Sequence, residues 1–507
     1  MRIENDILSV AQRDPYRPAV EVDGQVWSFG RLDTASSALA ETIRAALPDT
    51  PQPVWILTPH GLDFILATLA VWRSDHIVVP INPRLADAEL KQLARTCVPV
   101  ALIADFVGAA RARTVLESVP EPPCIMEIQD ARVQVVKAAH PQNNGASRVF
   151  ARQHGRPGVV YFTSGSTGFP KAILLTHRNI VTNARATAEA FGLRPEDRSL
   201  VCMSTCHSYT LTKQLLAHLG RGGCVVMGPE FFEPAAVWAR VVEARCTTLY
   251  AVPSMHVMLH YHLVRSRLDP PHLRLLVTGG APMPYHVQVG LVEALPRAGF
   301  ISSYGLSEAG PCVSALPPAW AVRKVGSVGL PIPGVELAVL DERGLPVGRG
   351  QNGEVCVRSP SVMAGYLDNP TATARALRGG WLHTGDIGRL DTDGCLYLAG
   401  RKDEMILRGG ENIYPAEVEN VLCAHPAVRE AAVVAVPHDI LGHDLVAAVV
   451  RMPDGDADGA ALSAFCRKRL ATFKVPRAIR FLDVLPKTTN GKLDRTLLQN
   501  LWQQEEK

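Results

Sequence analysis

Residues 161–171 read YFTSGSTGFPK, a stretch with the composition of a phosphate-handling loop. The apolar residues at 159–162 predict a buried strand. Small residues and two glycines, Gly165 and Gly168, come next, so that backbone N–H groups can approach an anion closely. Lys171 then supplies a mobile positive charge. The stretch therefore predicts an anion-binding loop directly after a strand.

Four hydroxyl groups in this loop can donate to phosphate oxygens or bind Mg²⁺. They belong to Thr163, Ser164, Ser166 and Thr167. The loop is not a Walker A motif, because two residues separate Gly168 from Lys171. It is not a hydrolase elbow either, because Ser164 stands where that motif requires its first glycine. A flexible surface turn is the alternative for the stretch taken alone.

The composition is that of an ordinary globular protein. The chain has 507 residues, which predicts two or three domains, and it is 47% hydrophobic and 20% charged. A net charge of +3 gives no reason to expect nucleic acid as a partner. Eleven cysteines without a Cys-x-x-Cys pair indicate reduced thiols and a cytoplasmic location. Acidic residues near the N-terminus argue against a signal peptide, and the sequence predicts no membrane span.

Alternating apolar runs and helical patterns fill most of the first 330 residues and predict parallel βαβ units. Strands are predicted at 53–58, 76–80, 100–104, 247–252 and 273–278. Helices are predicted at 62–72, 86–96 and 234–244. The polar segment 142–147 predicts a surface loop.

The pattern changes near residue 335 from alternating strands and helices to short strands. Strands predicted at 335–340, 353–358 and 395–399 indicate a β-rich subdomain. A charged joint at 401–403 precedes a last unit, with helices predicted at 415–425 and 458–470 and strands at 431–436, 445–450 and 479–484. The expected α/β architecture is a large N-terminal domain of βαβ subdomains plus the β-rich subdomain (1–400), a hinge (401–403) and a small α+β C-terminal lid domain (404–507).

Further segments carry possible chemistry. Residues 206–210 (CHSYT) bring a histidine and a tyrosine to the end of a predicted strand, although a buried structural histidine is the alternative. Residues 303–308 (SYGLSE) combine an aromatic ring, a hydroxyl and a carboxylate, or else begin a capped helix. Residues 381–386 (WLHTGD) end in a carboxylate that can accept both hydroxyls of a ribose, or form an Asx-type turn.

Two cations near the joint and the C-terminus complete the set. Arg401 can donate to a sugar or phosphate, or remain a solvated surface charge. Lys492 follows an Asn-Gly turn and can reach into a cleft, although most such lysines are only solvated. His256, His260 and His262 include an i, i+4 pair that could bind a metal, but no His-Glu-x-x-His pattern supports this, and ordinary helix histidines are preferred.

In order and content these segments resemble the superfamily of adenylate-forming enzymes, which includes acyl-CoA synthetases, non-ribosomal peptide adenylation domains and luciferases. Further matching stretches are VVPINPR at 78–84, GEVCV at 353–357, GYLDNP at 365–370 and GGENIYPAEVE at 409–419. The resemblance runs from about residue 29 to 495. It implies that a carboxylate attacks the α-phosphate of ATP to give acyl-AMP and pyrophosphate, and that the acyl group then passes to a thiol or an amine.

The resemblance also implies roles for individual residues. Residues 163–171 would hold the β- and γ-phosphates, and Thr167 and Glu308 would position Mg²⁺. Ser303, Tyr304, Gly305 and Ser307 would border the nucleotide, with Tyr304 stacked on the adenine. Asp386 and Arg401 would bind the ribose. Lys492 would bridge the carboxylate and α-phosphate oxygens, and Asp403 would be the hinge.

The acid and its acceptor are less clear from the sequence. His207, Ser208 and Tyr209 resemble the acyl-pocket segment of aryl-acid relatives, and Gly279 and Gly280 are placed in the same pocket. Ser208 is uncharged where amino-acid-activating relatives have an aspartate, which favours an aryl or a short to medium acyl acid without an α-amino group. His207 is also assigned to the catalytic group.

Gly409 and Gly410 match the thiol tunnel of CoA ligases, although Glu230 would repel CoA phosphates. The acceptor is therefore CoA or the phosphopantetheine of a separate carrier protein. An amine acceptor stays open, as do luciferase-like oxidation of the adenylate and a non-catalytic nucleotide- or acyl-binding protein.

Overall fold

A computed structural model describes residues 1–59, 61–117, 122–137, 155–163, 170–229, 232–268, 270–409, 411–453, 455–487 and 493–505. Strands are numbered β1 to β27 and helices α1 to α14 in chain order. The loop predicted at 142–147 lies outside the described residues, as do Glu230, Gly410 and Lys492.

The first large sheet has a parallel centre, as the alternation of strands and helices predicts. In the described part of the chain its strand order is β16 (Leu330–Pro331), β15 (Gly310–Ala315), β14 (Gly299–Leu306), β13 (Leu275–Gly279), β12 (Thr248–Ala251), β10 (Arg198–Val201), β11 (Cys224–Met227), β1 (Pro18–Val22) and β2 (Gln25–Ser28). Strands β10 to β14 pair in parallel, so their carboxyl ends meet at one edge.

The second large sheet combines parallel strands with an antiparallel hairpin. Its order is β19 (Gly365–Tyr366), β9 (Lys171–Thr176), β8 (Pro157–Thr163), β4 (Ile77–Pro80), β3 (Pro53–Leu57), β5 (Ala101–Ala104), β6 (Cys124–Gln129) and β7 (Arg132–Lys137). Its strands β3, β4, β5, β6 and β8 run parallel, whereas β8 turns back into β9 as a hairpin.

Helices cover both large sheets. Those of the N-terminal part are α1 (Asn5–Arg13), α2 (Phe29–Ala46), α3 (Leu62–Arg73), α4 (Asp87–Thr96), α5 (Phe106–Val115), α6 (His177–Ala190), α7 (Ala217–Arg221), α8 (Pro234–Glu243), α9 (Pro253–Ser266), α10 (Tyr285–Ala294) and α11 (Pro370–Ala376). Helix α3 is buried along its whole length from Phe64 to Trp72, because it is apolar on every face. The Trp72 indole donates to the Gly158 carbonyl at 2.8 Å and so fixes α3 against β8.

Two smaller sheets follow. The β-rich subdomain contains β17 (Glu336–Leu340), β18 (Gly353–Arg358), β21 (Trp381–Leu390), β20 (Leu377–Arg378) and β22 (Leu396–Arg401). The C-terminal unit contains β24 (Glu411–Ile413), β23 (Ile406–Arg408), β26 (Gly442–Arg451), β25 (Val428–His438) and β27 (Ala478–Phe481), with α12 (Pro415–Cys423), α13 (Gly459–Arg467) and α14 (Arg495–Glu505). Apolar clusters cover both faces of this last sheet, which supports its independence as a core.

The predicted elements match the structure closely, and two of the alternatives are ruled out. Residues 303–306 lie in the strand β14, not in the alternative capped helix start, and Asp386 lies inside the strand β21, not in the alternative Asx-type turn. Residues 206–208 follow β10 but lead directly into a π-helix, Tyr209–Leu216, which the sequence pattern did not predict. All eleven cysteines lie in the described part of the chain, and none is disulfide-bonded. No helix of the described residues is long and apolar enough to cross a membrane.

Buried neutral histidines make the fold sensitive to acid. His256 on α9 is fully buried, its Nε2 lies 3.1 Å from the Val277 carbonyl, and burial lowers its pKa to about 4. Below about pH 6.5 His256 binds a proton in the unfolded chain but stays neutral in the folded chain. The free energy of unfolding is therefore highest above about pH 6.5 and falls as the pH is lowered toward 4.

The free energy of unfolding should fall less between pH 7.5 and pH 5.0 in His256→Gln than in the wild type, by about 2 kcal/mol. The reason is that glutamine does not bind a proton in the unfolded chain. Urea unfolding at the two pH values measures this difference. The exposed His443→Gln serves as the matched control and should leave the pH dependence unchanged. An unaltered dependence in His256→Gln would refute this source of acid sensitivity.

Candidate active site

The hairpin of β8 and β9 holds the two ends of the predicted phosphate loop together. Thr163 pairs directly with Lys171, and the residues 164–169 between them lie outside the described part of the chain. The same sheet places β19 beside β9, where Tyr366 pairs with Ile173. The Lys171 ammonium lies 5.2 Å from the centre of the Tyr366 ring, so this cation faces the rest of the site.

Glu308 reaches the same place from the first large sheet. It lies in the turn between β14 and β15, and its Oε1 accepts a hydrogen bond of 3.0 Å from the Tyr366 hydroxyl. Lys171, Tyr366 and Glu308 are therefore brought together, as a phosphate site with a carboxylate for Mg²⁺ requires. The Tyr366 bond engages Oε1, and Oε2 is the oxygen that fits a hard cation. Thr167, the other predicted Mg²⁺ residue, is outside the described range.

A second group of side chains forms the predicted ribose site. Asp386 and Arg401 are cross-strand partners on β21 and β22, and the Arg401 Nη1 lies 3.0 Å from the Asp386 Oδ1. The Tyr304 hydroxyl donates to the other carboxylate oxygen at 2.5 Å. Arg401 also donates to the Thr384 carbonyl at 3.1 Å. Side chains from the three strands β14, β21 and β22 thus meet at the Asp386 carboxylate.

Burial and the neighbouring charges have opposite effects on the pKa values of Asp386 and Arg401. Burial raises the pKa of Asp386, and the nearby Arg401 and the Tyr304 hydroxyl only partly offset this effect. Burial disfavours the charged form of Arg401 as well, but Asp386 and Asp403 outweigh it and raise the Arg401 pKa. A carboxylate held by one cation and one hydroxyl retains lone pairs for further donors, which suits the two hydroxyls of a ribose.

Glu354 supports this arrangement, and the sequence analysis did not single it out. Its Oε2 lies 3.3 Å from both the His383 Nδ1 and the Lys402 Nζ, and its Oε1 accepts from the Gly385 backbone N–H at 3.3 Å. Burial would raise the pKa of Glu354, but His383 and Lys402 reverse that effect and lower it. Glu354 thus connects the backbone before Asp386 to Lys402, which follows Arg401. The signal for Glu354 in the sequence was a single glutamate in an apolar strand.

The predicted acyl side lies against the carboxyl ends of β13 and β14. The Ser208 hydroxyl is 3.1 Å from the Ser307 hydroxyl, so the segment of His207 and Ser208 meets the turn that carries Glu308. Gly279 packs so closely that an added Cβ would lie 2.8 Å from the Ser303 carbonyl oxygen and 3.2 Å from the Tyr209 ring. Gly280 has φ +87°, which favours glycine.

The π-helix adds a residue that the sequence analysis missed. Lys213 is 1% exposed, and its Nζ donates to the Ser303 hydroxyl and lies 4.2 Å from the centre of the Tyr209 ring. Single π-helical turns occur often at functional sites. The available signal was a lysine within the helical pattern of residues 211–219 (LTKQLLAHL).

The predicted thiol side and hinge lie in the segment that leads into the C-terminal unit. Gly409 follows β23 with φ +58° and donates its N–H to the Leu441 carbonyl at 3.0 Å. Asp403 lies in a short 3₁₀ helix, Lys402–Glu404, and accepts from the Arg401 Nε at 3.2 Å. Gly410 and Lys492 are not among the described residues, so their predicted positions are untested.

Comparison with known proteins places this geometry in a family. The AMP-binding enzyme model matches residues 8–367, and the model of the AMP-binding enzyme C-terminal domain matches residues 417–492. The chain therefore belongs to the AMP-binding enzyme family.

Curated relatives and solved structures cover nearly the whole chain. It is 33% identical to a feruloyl-CoA synthase of Amycolatopsis sp over 95% of each chain. It is also 33% identical to a sulfoacetate–CoA ligase of Cupriavidus necator, over 94% of this chain and 93% of that one. ATP-bound MatB from Rhodopseudomonas palustris superposes with a TM-score of 0.87 at 26% identity, over the full length of both chains. The amide bond synthetase McbA from Marinactinospora thermotolerans gives 0.86 at 29% identity, over 99% of each.

These matches confirm the predicted superfamily, the two-part α/β fold and the class of enzyme, an ATP-dependent acid–thiol ligase that uses Mg²⁺. The predicted domain limits at 400 and 404 fall between the two matched ranges and stay predictions. The roles assigned to individual residues also stay predictions.

We expect Asp386→Asn to raise the KM for ATP by about tenfold to a hundredfold, because a charged acceptor for hydroxyl groups is lost. Initial rates of pyrophosphate release at varied ATP concentration give this value. Asp391→Asn is the matched control, since Asp391 pairs with Lys324 away from the site. A normal KM in Asp386→Asn would rule out the ribose assignment.

Proposed function

We propose that this acid–thiol ligase activates a carboxylic acid without an α-amino group as its acyl-AMP and passes the acyl group to the thiol of CoA. One observation carries the assignment of the site: Tyr304 at one end of a five-residue segment contacts Asp386, and Glu308 at the other end contacts Tyr366 beside Lys171. The proposed nucleotide end and phosphate end are thus linked by a short piece of backbone.

The chemistry requires two anions, the carboxylate and the α-phosphate, to approach each other. Cations and hydrogen-bond donors that converge on the phosphorus stabilise the charge that develops during this attack. Lys171 and the hydroxyls of 163–167 would hold the β- and γ-phosphates, while Glu308 would hold the Mg²⁺ of the MgATP substrate. Lys492 would bridge the carboxylate and the α-phosphate.

The acid follows from the residues at the acyl side. An α-ammonium group would need a carboxylate partner, because an unpaired buried ammonium is costly. Ser208 stands at the predicted position and bonds to the Ser307 hydroxyl instead. His207 would border the reacting carboxyl, and its backbone carbonyl anchors the π-helix by accepting from the Leu211 N–H at 2.9 Å. The names of the relatives cover an aryl acid and a short acid with a sulfonate, so they do not choose between these two classes.

CoA is favoured as the acceptor because the curated relatives are CoA ligases. Gly409, whose φ of +58° favours glycine, would line the tunnel for the pantetheine arm. A separate carrier protein would present the same phosphopantetheine thiol. The likeness to an amide bond synthetase makes an amine the second candidate acceptor. The reduced cysteines and the use of ATP support a cytoplasmic location.

Pyrophosphate release from MgATP, measured with aryl, fatty, dicarboxylic and amino acids and each with and without CoA, tests the proposal. Acid-dependent release that yields acyl-CoA would support it in full. Release that stops at acyl-AMP, and that an added carrier protein or amine completes, would overturn CoA as the acceptor. Release with an α-amino acid alone would overturn the assignment of the acid.

We expect Lys492→Ala to abolish adenylation, by at least about a thousandfold in kcat, while ATP binding stays measurable by calorimetry. The reason is that this lysine would stabilise charge that appears only in the transition state. Lys487→Ala is the control, because Lys487 forms a surface ion pair with Glu430 at 2.8 Å. Full adenylation by Lys492→Ala would refute the role.

Asp403→Pro should impair the thiol step more than adenylation, because proline fixes φ at the residue about which the lid would turn. Single-turnover assays that follow acyl-AMP and acyl-CoA separately distinguish the two steps. Asp403→Ala removes the contact with Arg401 but keeps backbone freedom, and it should leave the two steps balanced. An equal loss of both steps in the proline variant would count against the hinge.

A further inference from the structure

Lys213 is a buried cation with few polar neighbours. Its Nζ donates to the Ser303 hydroxyl, and that hydroxyl donates in turn to the Thr278 carbonyl at 2.6 Å. The ring centres of Tyr209 and Phe191 lie 4.2 and 5.8 Å from the ammonium. Of the three N–H donors of a lysine, Ser303 thus accepts from one.

The charge of Lys213 has no anionic partner in the described part of the chain, where no carboxylate forms an ion pair with it. The thiol of Cys312 interacts with this charge, but the thiol is buried, and burial raises its pKa despite Lys213, so the thiol stays neutral. Burial lowers the pKa of Lys213 to about 8, which leaves the ammonium mostly charged at neutral pH. An uncompensated buried cation is costly, and such costs are typical of binding sites.

One further buried donor lies on the same face of the sheet. The ring of Tyr250 packs against both Tyr209 and Phe191, with ring centres 6.4 and 6.2 Å apart. Tyr250 pairs with Val277 and Ser303 pairs with Gly279, so both side chains point to the face that the π-helix covers. Within the described part of the chain the Tyr250 hydroxyl is buried and has no hydrogen-bond partner. The Lys213 ammonium and the Tyr250 hydroxyl can each donate to an anion.

The position of this cluster relates it to the reacting end of the acid. Ser208 and Ser307 meet at the turn that carries Glu308. Lys213 lies five residues further along the π-helix, and it bonds Ser303, which lies four residues earlier on β14. Both steps lead away from Glu308, by roughly 7 Å over five helical residues and roughly 13 Å over four residues of extended chain. Lys213 therefore lies away from the turn that carries Glu308, where the carboxyl would be activated.

We propose that Lys213, with the hydroxyl of Tyr250, binds a second anionic group of the acid, so that this enzyme activates a dicarboxylic acid or an acid with an equivalent distal anion. This inference rests on the proposed function, because it concerns the far end of the same acyl pocket. Lys213 is then a specificity-determining residue rather than a residue of the chemical step.

Wild-type protein provides the first test. Pyrophosphate release is compared for dicarboxylic acids with two to six methylene groups and for the monomethyl ester of each. We expect kcat/KM for the preferred diacid to exceed that of its ester by at least about a hundredfold, because the ester leaves the buried ammonium unpaired. A sulfonate of equal length separates a general need for an anion from a specific need for a carboxylate.

Lys213→Met provides the second test, since methionine fills a similar volume without charge. We expect kcat/KM for the diacid to fall about a hundredfold or more, chiefly through KM, while that for the ester stays within about threefold. Lys324→Met is the matched control, because Lys324 pairs with Asp391 outside the site. A purely structural Lys213 would lower thermal stability and leave the ratio of diacid to ester unchanged.

The outcomes separate this inference from the proposed function. No pyrophosphate release with any acid would contradict the proposed function itself. Release with monoacids at least as good as with diacids in the wild-type protein would overturn the role of Lys213 while leaving the proposed function intact. If Lys213→Met fails to fold, the comparison of diacid and ester on wild-type protein still decides the matter.

Discussion

The hydrogen-bonded group of Tyr304, Asp386 and Arg401 is the constraint on which the site depends. Tyr304 belongs to the first large sheet, Asp386 to the β-rich subdomain, and Arg401 to the strand that leads into the C-terminal unit. One carboxylate thus joins three parts of the chain. Because burial raises the pKa of Asp386, this junction depends on its donors, and a bound ribose would add two more.

The same junction holds the start of the C-terminal unit. Asp403 bonds to Arg401, and Lys402 bonds to Glu354, so the segment before the C-terminal unit is fixed at its start. Beyond it, the contacts between the two parts include the Tyr261 hydroxyl with the Met452 sulfur and His286 with the Cys423 carbonyl at 3.2 Å. Helix α12 also packs against the end of β22, where Gly400 lies close to Tyr414.

Much of this fold could be predicted from the sequence because its signals are local. The strands at 53–57 and 101–104 are short apolar runs, and α8 begins with proline at its first position, where a missing N–H costs nothing. The pairing of Asp386 with Tyr304 could not be predicted in this way, because their separation of 82 residues leaves no periodic trace. The resemblance assigned Tyr304 to the adenine and Asp386 to the ribose, and it did not predict the hydrogen bond between them.

Lys213 illustrates a different limit. A lysine in a helical pattern is usually interpreted as a side chain that extends its charged end to solvent. The π-helix instead turns it toward Ser303 and the ring of Tyr209, and only the tertiary structure reveals that it is buried. The ring centre of Phe191 lies 5.8 Å from the ammonium and the ring packs against Tyr250, so aromatic rings surround this cation. In the proposed acyl pocket such a cation would disfavour purely apolar acids and favour an acid with a second anion.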